Sequence, residues 1–177
     1  GTIIDDLEIQ KTQLEHAMGR SSNGSSDWKI FINPTKGSSN IGASYLAYAQ
    51  TPEMNLEAGF YSGSQSVEIS STEPNSTIHY TLNGYLPNNG STEYTGVFSL
   101  ESTKIVKAIV ASNNSEILPS FISFNTYFIN ESHSLPVLST SADELTTLLN
   151  GNQSLRPHGT IEYFNIEGNR KDAGYGE

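Results

Sequence analysis

The sequence contains no cysteine, so disulfides and thiolate metal sites are excluded. Cations are scarce: nine Lys and Arg stand against 19 Asp and Glu, for a formal charge of −10. Phosphate binding rests on Lys and Arg, so nucleic acid is not an expected partner. Such a charge favours a soluble, monomeric surface. No apolar run approaches the ~20 residues that cross a bilayer, and no membrane insertion is expected. Nothing resembles a signal peptide. The opening "GTIIDDLEI" reads as direct entry into a strand over Ile3–Gln10, and the chain is expected to be a piece of a longer one. No Gly-x-Ser-x-Gly elbow and no P-loop occurs. His16, His79, His133 and His158 are far apart with no i,i+4 partner, so no metal site, cofactor or catalytic residue is expected. Asp5, Asp6 and Glu8 read as a solvated acidic edge that discourages strand pairing, in preference to a Ca²⁺ site.

The polar fraction is dominated instead by Ser, Thr, Asn and Gly, beside 35% apolar residues. That mix is common in extracellular β-rich proteins. Asn-x-Ser/Thr tripeptides begin at Asn23, Asn75, Asn89, Asn113, Asn130 and Asn152. Roughly four would arise by chance in such a composition, so they read as composition and not as glycosylation signals. The length allows one domain, or one small domain with partial neighbours.

From Gly59 to Ile129 the periodicity is β. Val67 and Ile69 alternate with Glu68 and Ser70. Ile78, Tyr80 and Leu82 share one face, and His79 and Thr81 share the other, solvated one. Ile105 to Ala111 is apolar on both faces, as in a central strand covered from both sides. Turns are marked at Glu73-Pro74-Asn75, Asn83-Gly84 and Asn113-Asn114. Roughly seven short strands at spacings of about 8–12 residues predict an all-β, Ig-like antiparallel sandwich. Its flanks read as partial β elements with one short helix near 141–149.

Within that stretch Gly59-Phe60-Tyr61, Ile78-His79-Tyr80-Thr81, Asn83-Gly84, Pro87, Tyr94-Thr95-Gly96 and Val106-Lys107-Ala108 occur in order. The pattern resembles the small C-terminal sandwich of chitobiases and hexosaminidases. Asn83 stands where that family has Asp, and Tyr85 where it has a small residue; the turn survives because Asn also tolerates positive φ. Upstream, Gly19-Arg20, Asn23-Gly24, Asp27-Trp28, Phe31, Pro34-Thr35, Gly37 and Asn40 resemble the closing segment of bacterial lamin-tail domains, with Lys36 in place of proline. Downstream, Leu135-Pro136-Val137, Arg156-Pro157 and Glu162-Tyr163-Phe164 resemble the start of secreted CotH-type protein kinases, whose nucleotide and metal carboxylates would lie beyond position 177. The division expected is 1–41 lamin-tail-like, 42–58 linker, 59–129 sandwich and 130–177 CotH-like.

In the last segment a strand is expected over Leu135–Ser139. Ser141 with Glu144 reads as a capping box for a helix whose apolar face is Leu145, Leu148 and Leu149. A hairpin follows, with Ile161 and Tyr163 on one face, Glu162 and Phe164 on the other, and a turn at Glu167-Gly168. The one ligand platform the sequence offers is the 83–89 loop, where Tyr85 with Asn83, Asn88 and Asn89 could stack on a sugar ring and bond its hydroxyls. The bland alternative is that Tyr80 and Tyr94 are core and Tyr85 caps the turn.

Together these features predict a non-catalytic spacer or attachment segment of a large secreted bacterial cell-surface protein. Its partners would be other domains of that protein, with a surface protein or glycan as outside partner. The alternatives are the N-terminal part of a CotH-like kinase and a carbohydrate-binding module.

Overall fold

The computed structural model describes residues 10–152 and 154–176. The strand expected at Ile3–Gln10, with its acidic residues Asp5, Asp6 and Glu8, falls almost wholly outside them. The chain divides into two units, residues 1–47 and 48–177. The first holds β1 (Ala17–Arg20), β2 (Trp28–Phe31) and β3 (Ser44–Tyr45) in one antiparallel sheet, with Ile30 and Phe31 buried. The β1–β2 hairpin turns at Asn23-Gly24, where Gly24 takes φ 77°. Arg20 lies over the Trp28 ring at 4.8 Å.

The second unit is layered. Its strands are β4 (Ala47–Tyr48, beginning at the boundary), β5 (Glu53–Met54), β6 (Gly59–Tyr61), β7 (Gln65–Val67), β8 (Ile69–Ser70), β9 (Ser76–Thr81), β10 (Thr92–Glu93), β11 (Phe98–Leu100), β12 (Lys104–Ser112), β13 (Ile117–Leu118) and β14 (Ser123–Ile129). They are followed by β15 (Val137–Ala142), α1 (Leu145–Leu149), β16 (Gly159–Phe164) and β17 (Arg170–Gly176). The central sheet runs β10-β9-β12-β14-β6. Against one face lie the short pairs β5-β8 and β7-β11. Val67, Ile69 and Leu100 from these pairs meet Val106, Ala108, Tyr127 and Ile129 from the sheet in a closed core, with Ile78, Tyr80 and Phe98 packed around it. This is the all-β Ig-like sandwich the periodicity predicts.

β12 is central as expected, and Val106 to Val110 are all buried. Val106 and Ala108 enter the core, while Lys107 faces a third layer. That layer is the antiparallel sheet β15-β16-β17. Alternation in β16 is as predicted. Its inward face carries Thr160, Glu162 and Phe164, while Ile161 and Tyr163 look outward.

Several expectations need correction. The sandwich is not wholly antiparallel, because β6 pairs parallel with β14 at Tyr127↔Gly59. The connection between them is a crossover through most of the sandwich, so no hairpin dictates the sense. Residues 42–58, expected as linker, carry three short strands: β5 pairs with β8, and the Ala49 N–H donates to Leu118 C=O. Short strands of two residues leave no periodicity to read. The capping box is absent. Ser141 lies in β15 with its hydroxyl on Thr160, and α1 begins after Glu144 with no side-chain cap. The strand expected at 135–139 is displaced to 137–142 by pairing with β16. His79 is half-buried, with Nδ1 3.1 Å from Ser91 O.

One polar cluster lies within the sandwich. Burial pushes the Tyr127 phenol up to about 12. Its hydroxyl donates to Leu56 O at 2.8 Å and accepts from Asn125 Nδ2 at 3.0 Å, while Asn125 Nδ2 also reaches Leu56 O. Tyr127→Phe removes one hydroxyl but leaves Leu56 O a donor. The expected loss is therefore about 1 kcal/mol in urea unfolding, well below the cost of an orphaned buried group.

Candidate functional site

The 83–91 loop joins β9 to β10. Asn83 Oδ1 accepts the Tyr85 N–H at 3.1 Å, and Thr81 Oγ1 donates to Tyr85 O at 2.7 Å. Asn88 Oδ1 accepts the Gly90 N–H at 2.8 Å. The side-chain carbonyls of Asn83 and Asn88 thus fold the loop itself. Asn89 is exposed, and Tyr85 is 51% exposed. Tyr80 and Tyr94 pack with Phe98 beside the core. A polar groove of about 450 Å³ lies alongside, lined by Thr81, Asn83, Ser91, Thr92 and Lys104.

The loop is also fixed from the other side. Leu86 N–H donates to Asp143 Oδ1 at 2.7 Å. Gly84 sits at φ 79°, and a Cβ there would lie 2.8 Å from Ser141 Cβ. Only glycine lets the turn approach β15 this closely. The Asn-Gly pair therefore serves the contact between sandwich and third layer as well as the turn.

That contact continues as a buried polar seam. Lys107 is fully buried on β12 and donates from Nζ to Ser141 O at 3.2 Å. Glu162, 1% exposed, accepts from Thr126 N at 3.3 Å, from the Thr126 hydroxyl, and from Arg170 at 3.0 Å. Since Thr126 has one hydroxyl proton and gives it to Glu162, Ser139 Oγ, 2.8 Å away, is the donor to Thr126. Arg170 also donates to Asn125 Oδ1 at 2.7 Å. Below the seam Phe60 stacks on Phe128 at 4.2 Å, Phe164 meets both edge-on, and His133 lies over Phe60.

Burial lowers the Lys107 ammonium to about 8, against the pull of the Asp143 and Glu162 carboxylates. Sequence reading missed this seam. The available signal was a lysine inside a strand apolar on both faces, and a glutamate in register with Phe164.

Among the described residues no group of three or more His, Asp or Glu could hold a metal, and no helix is long and apolar enough to cross a membrane. Gly174-Tyr175-Gly176 closes β17. A second groove, about 490 Å³ and mainly apolar, lies between α1 and the outer face of the third layer, lined by Ala142, Leu145, Leu148, Leu155 and Ile161.

Residues 56–118 match the family profile of the chitobiase/beta-hexosaminidase C-terminal domain. The match lies within the sandwich and supports the resemblance carried by Gly59-Phe60-Tyr61 and the residues after it. The lamin-tail and CotH resemblances of the flanks gain no support. No curated protein and no solved structure matches the chain.

The seam has a signed pH dependence. The unfolded chain holds the Lys107 proton up to about 10.5 and the folded one only to about 8, so stability rises with pH between those values. Above about 10 the raised Tyr127 phenol opposes that gain, since the unfolded tyrosine then releases its proton first. Below about pH 8 the charged lysine costs about 3 kcal/mol. Lys107→Met is expected to stabilise the protein by about 1–3 kcal/mol at neutral pH. The variant should also lack the rise in urea midpoint between about pH 8 and about pH 10 that is expected of the parent.

Proposed function

We propose that this chain is a non-catalytic spacer or attachment segment of a large secreted bacterial cell-surface protein. Its first partners are neighbouring domains of that protein. The observation that carries the reading is the sealed joint between sandwich and third layer. Lys107, Thr126, Glu162 and Arg170 are satisfied within the molecule. A joint of buried charge and stacked rings resists bending, because any gap leaves Glu162 or Lys107 unpaired in a low-dielectric interior. Such a body transmits position from one end to the other. The match of residues 56–118 to a C-terminal domain of glycosidases fits an accessory role.

A second reading has one observation behind it: Tyr85 is exposed beside a polar groove that includes Asn83 and Lys104. An external partner there would be a glycan, read by stacking on Tyr85 with Asn88 and Asn89 at the rim.

Stability of a cut chain, limited proteolysis, phosphoryl transfer and glycan binding test these readings. Cutting the chain after Ile129 uncovers Lys107, Thr126, Phe60 and Phe128. The spacer reading expects the cut chain to lose several kcal/mol, enough to abolish a cooperative thermal transition. It also expects limited proteolysis of the intact chain to yield no stable sandwich ending near 129. An unchanged transition after the cut would sink it, as would phosphoryl transfer from ATP by the intact chain. Glycan-array binding that disappears in Tyr85→Ala would install the second reading; an array blank for both proteins removes it.

A further inference from the structure

Four Asn-Gly pairs occur in the chain, at Asn23, Asn83, Asn89 and Asn150. The dipeptide has an intrinsic reactivity. A glycine amide nitrogen carries no neighbouring Cβ to hinder it, and it can attack the side-chain carbonyl carbon of the preceding asparagine. For this the glycine N–H must be free to lose its proton, and the side chain must be free to swing over it. A folded chain sets both conditions differently at each pair.

Three pairs are restrained. The Gly84 N–H donates to Ile105 O at 3.2 Å, Gly84 is buried, and Asn83 Oδ1 is held by Tyr85 N–H. The Gly90 N–H donates to Asn88 Oδ1 at 2.8 Å. The Gly151 N–H donates to Leu148 O at 3.1 Å as α1 ends. Asn23-Gly24 differs. Both residues are exposed, and a Cβ on Gly24 would meet nothing within 4 Å. The turn is closed one residue later, by Ser25 N–H donating to Ser22 O at 3.0 Å, so the Gly24 N–H has no acceptor among the described residues. Asn23 is tethered by Nδ2 to Ser39 Oγ at 3.3 Å, the long end of the hydrogen-bond range, and its Cγ is unobstructed by that bond.

We propose that Asn23 is a site of spontaneous deamidation selected by the fold. Gly24 N, losing its proton to base, bonds to Asn23 Cγ. The Cγ–Nδ2 bond then breaks, and ammonia leaves with the proton returned from solvent, giving a five-membered succinimide. Water opens the ring at either carbonyl. One product is aspartate. The other is isoaspartate, in which the main chain runs through the former side chain and gains a methylene. No electrons are transferred and water is the one co-reactant. Either product adds a negative charge to a chain already at −10. The isoaspartyl product also lengthens the turn that sets the Arg20↔Trp28 register of β1 and β2.

The test is incubation of the intact folded chain at mildly alkaline pH, with peptide mapping by mass spectrometry and a parallel sample unfolded in urea. In the folded chain, a gain of about one dalton is expected first at the peptide containing Asn23, several-fold ahead of the other three sites. In urea the four sites should converge, because only the fold separates them. Asn23→Gln, whose ring closure would need six members, should remove the early acidic form seen on ion exchange. A folded chain in which Asn83, Asn89 or Asn150 keeps pace with Asn23 overturns the proposal. So does an Asn23 lead that persists in urea, which would make the preference local sequence and not structure.

Discussion

The meeting of sandwich and third layer in the second unit turns on the buried pairing of Glu162 with Arg170 and Thr126. A carboxylate at 1% exposure is costly unless its lone pairs are filled, and here they are filled from two different sheets. Thr126 belongs to the sandwich, while Glu162 and Arg170 belong to the third layer. Neither sheet satisfies the glutamate alone. The same holds for Lys107, whose strand is in the sandwich and whose acceptor, Ser141 O, is in β15. The seam therefore does more to define where the layers meet than to hold them together. Its specificity comes from the penalty on every misplaced alternative.

Apolar contacts supply the complementary part. Phe60, Phe128 and Phe164 fill the floor of the joint, and the turn at Gly84 closes its rim with the Leu86–Asp143 bond. The loop that looked like a ligand platform is thus largely occupied with structure: its asparagine carbonyls hold its own backbone, and its glycine lets β15 approach. Tyr85 remains the one large side chain there that the fold leaves exposed.

The strand pattern of the sandwich was legible because burial there has a simple period. Val106, Ala108 and Val110 alternate with Lys107 and Ile109, and both sets are buried, which reads correctly as a covered central strand. The hairpin alternation at Ile161 to Phe164 was legible for the same reason. The capping box at Ser141 was a local signal that lost to a non-local one. Pairing with Thr160 keeps Ser141 extended, and a short helix with no buried residue cannot compete. The short strands within 42–58 were illegible because two residues carry no period.

By itself the sequence determined the all-β, Ig-like character of the sandwich, its turns at Asn75, Gly84 and Asn113, and the absence of thiol chemistry. These follow from local rules, in which side-chain alternation and turn residues act over a few positions. The tertiary structure alone decided which face of β16 is buried, that Lys107 lies under a third sheet, and that β6 joins the sandwich in parallel. Those outcomes rest on partners far apart in sequence, such as Thr126 with Glu162, and no local pattern encodes the distance between them.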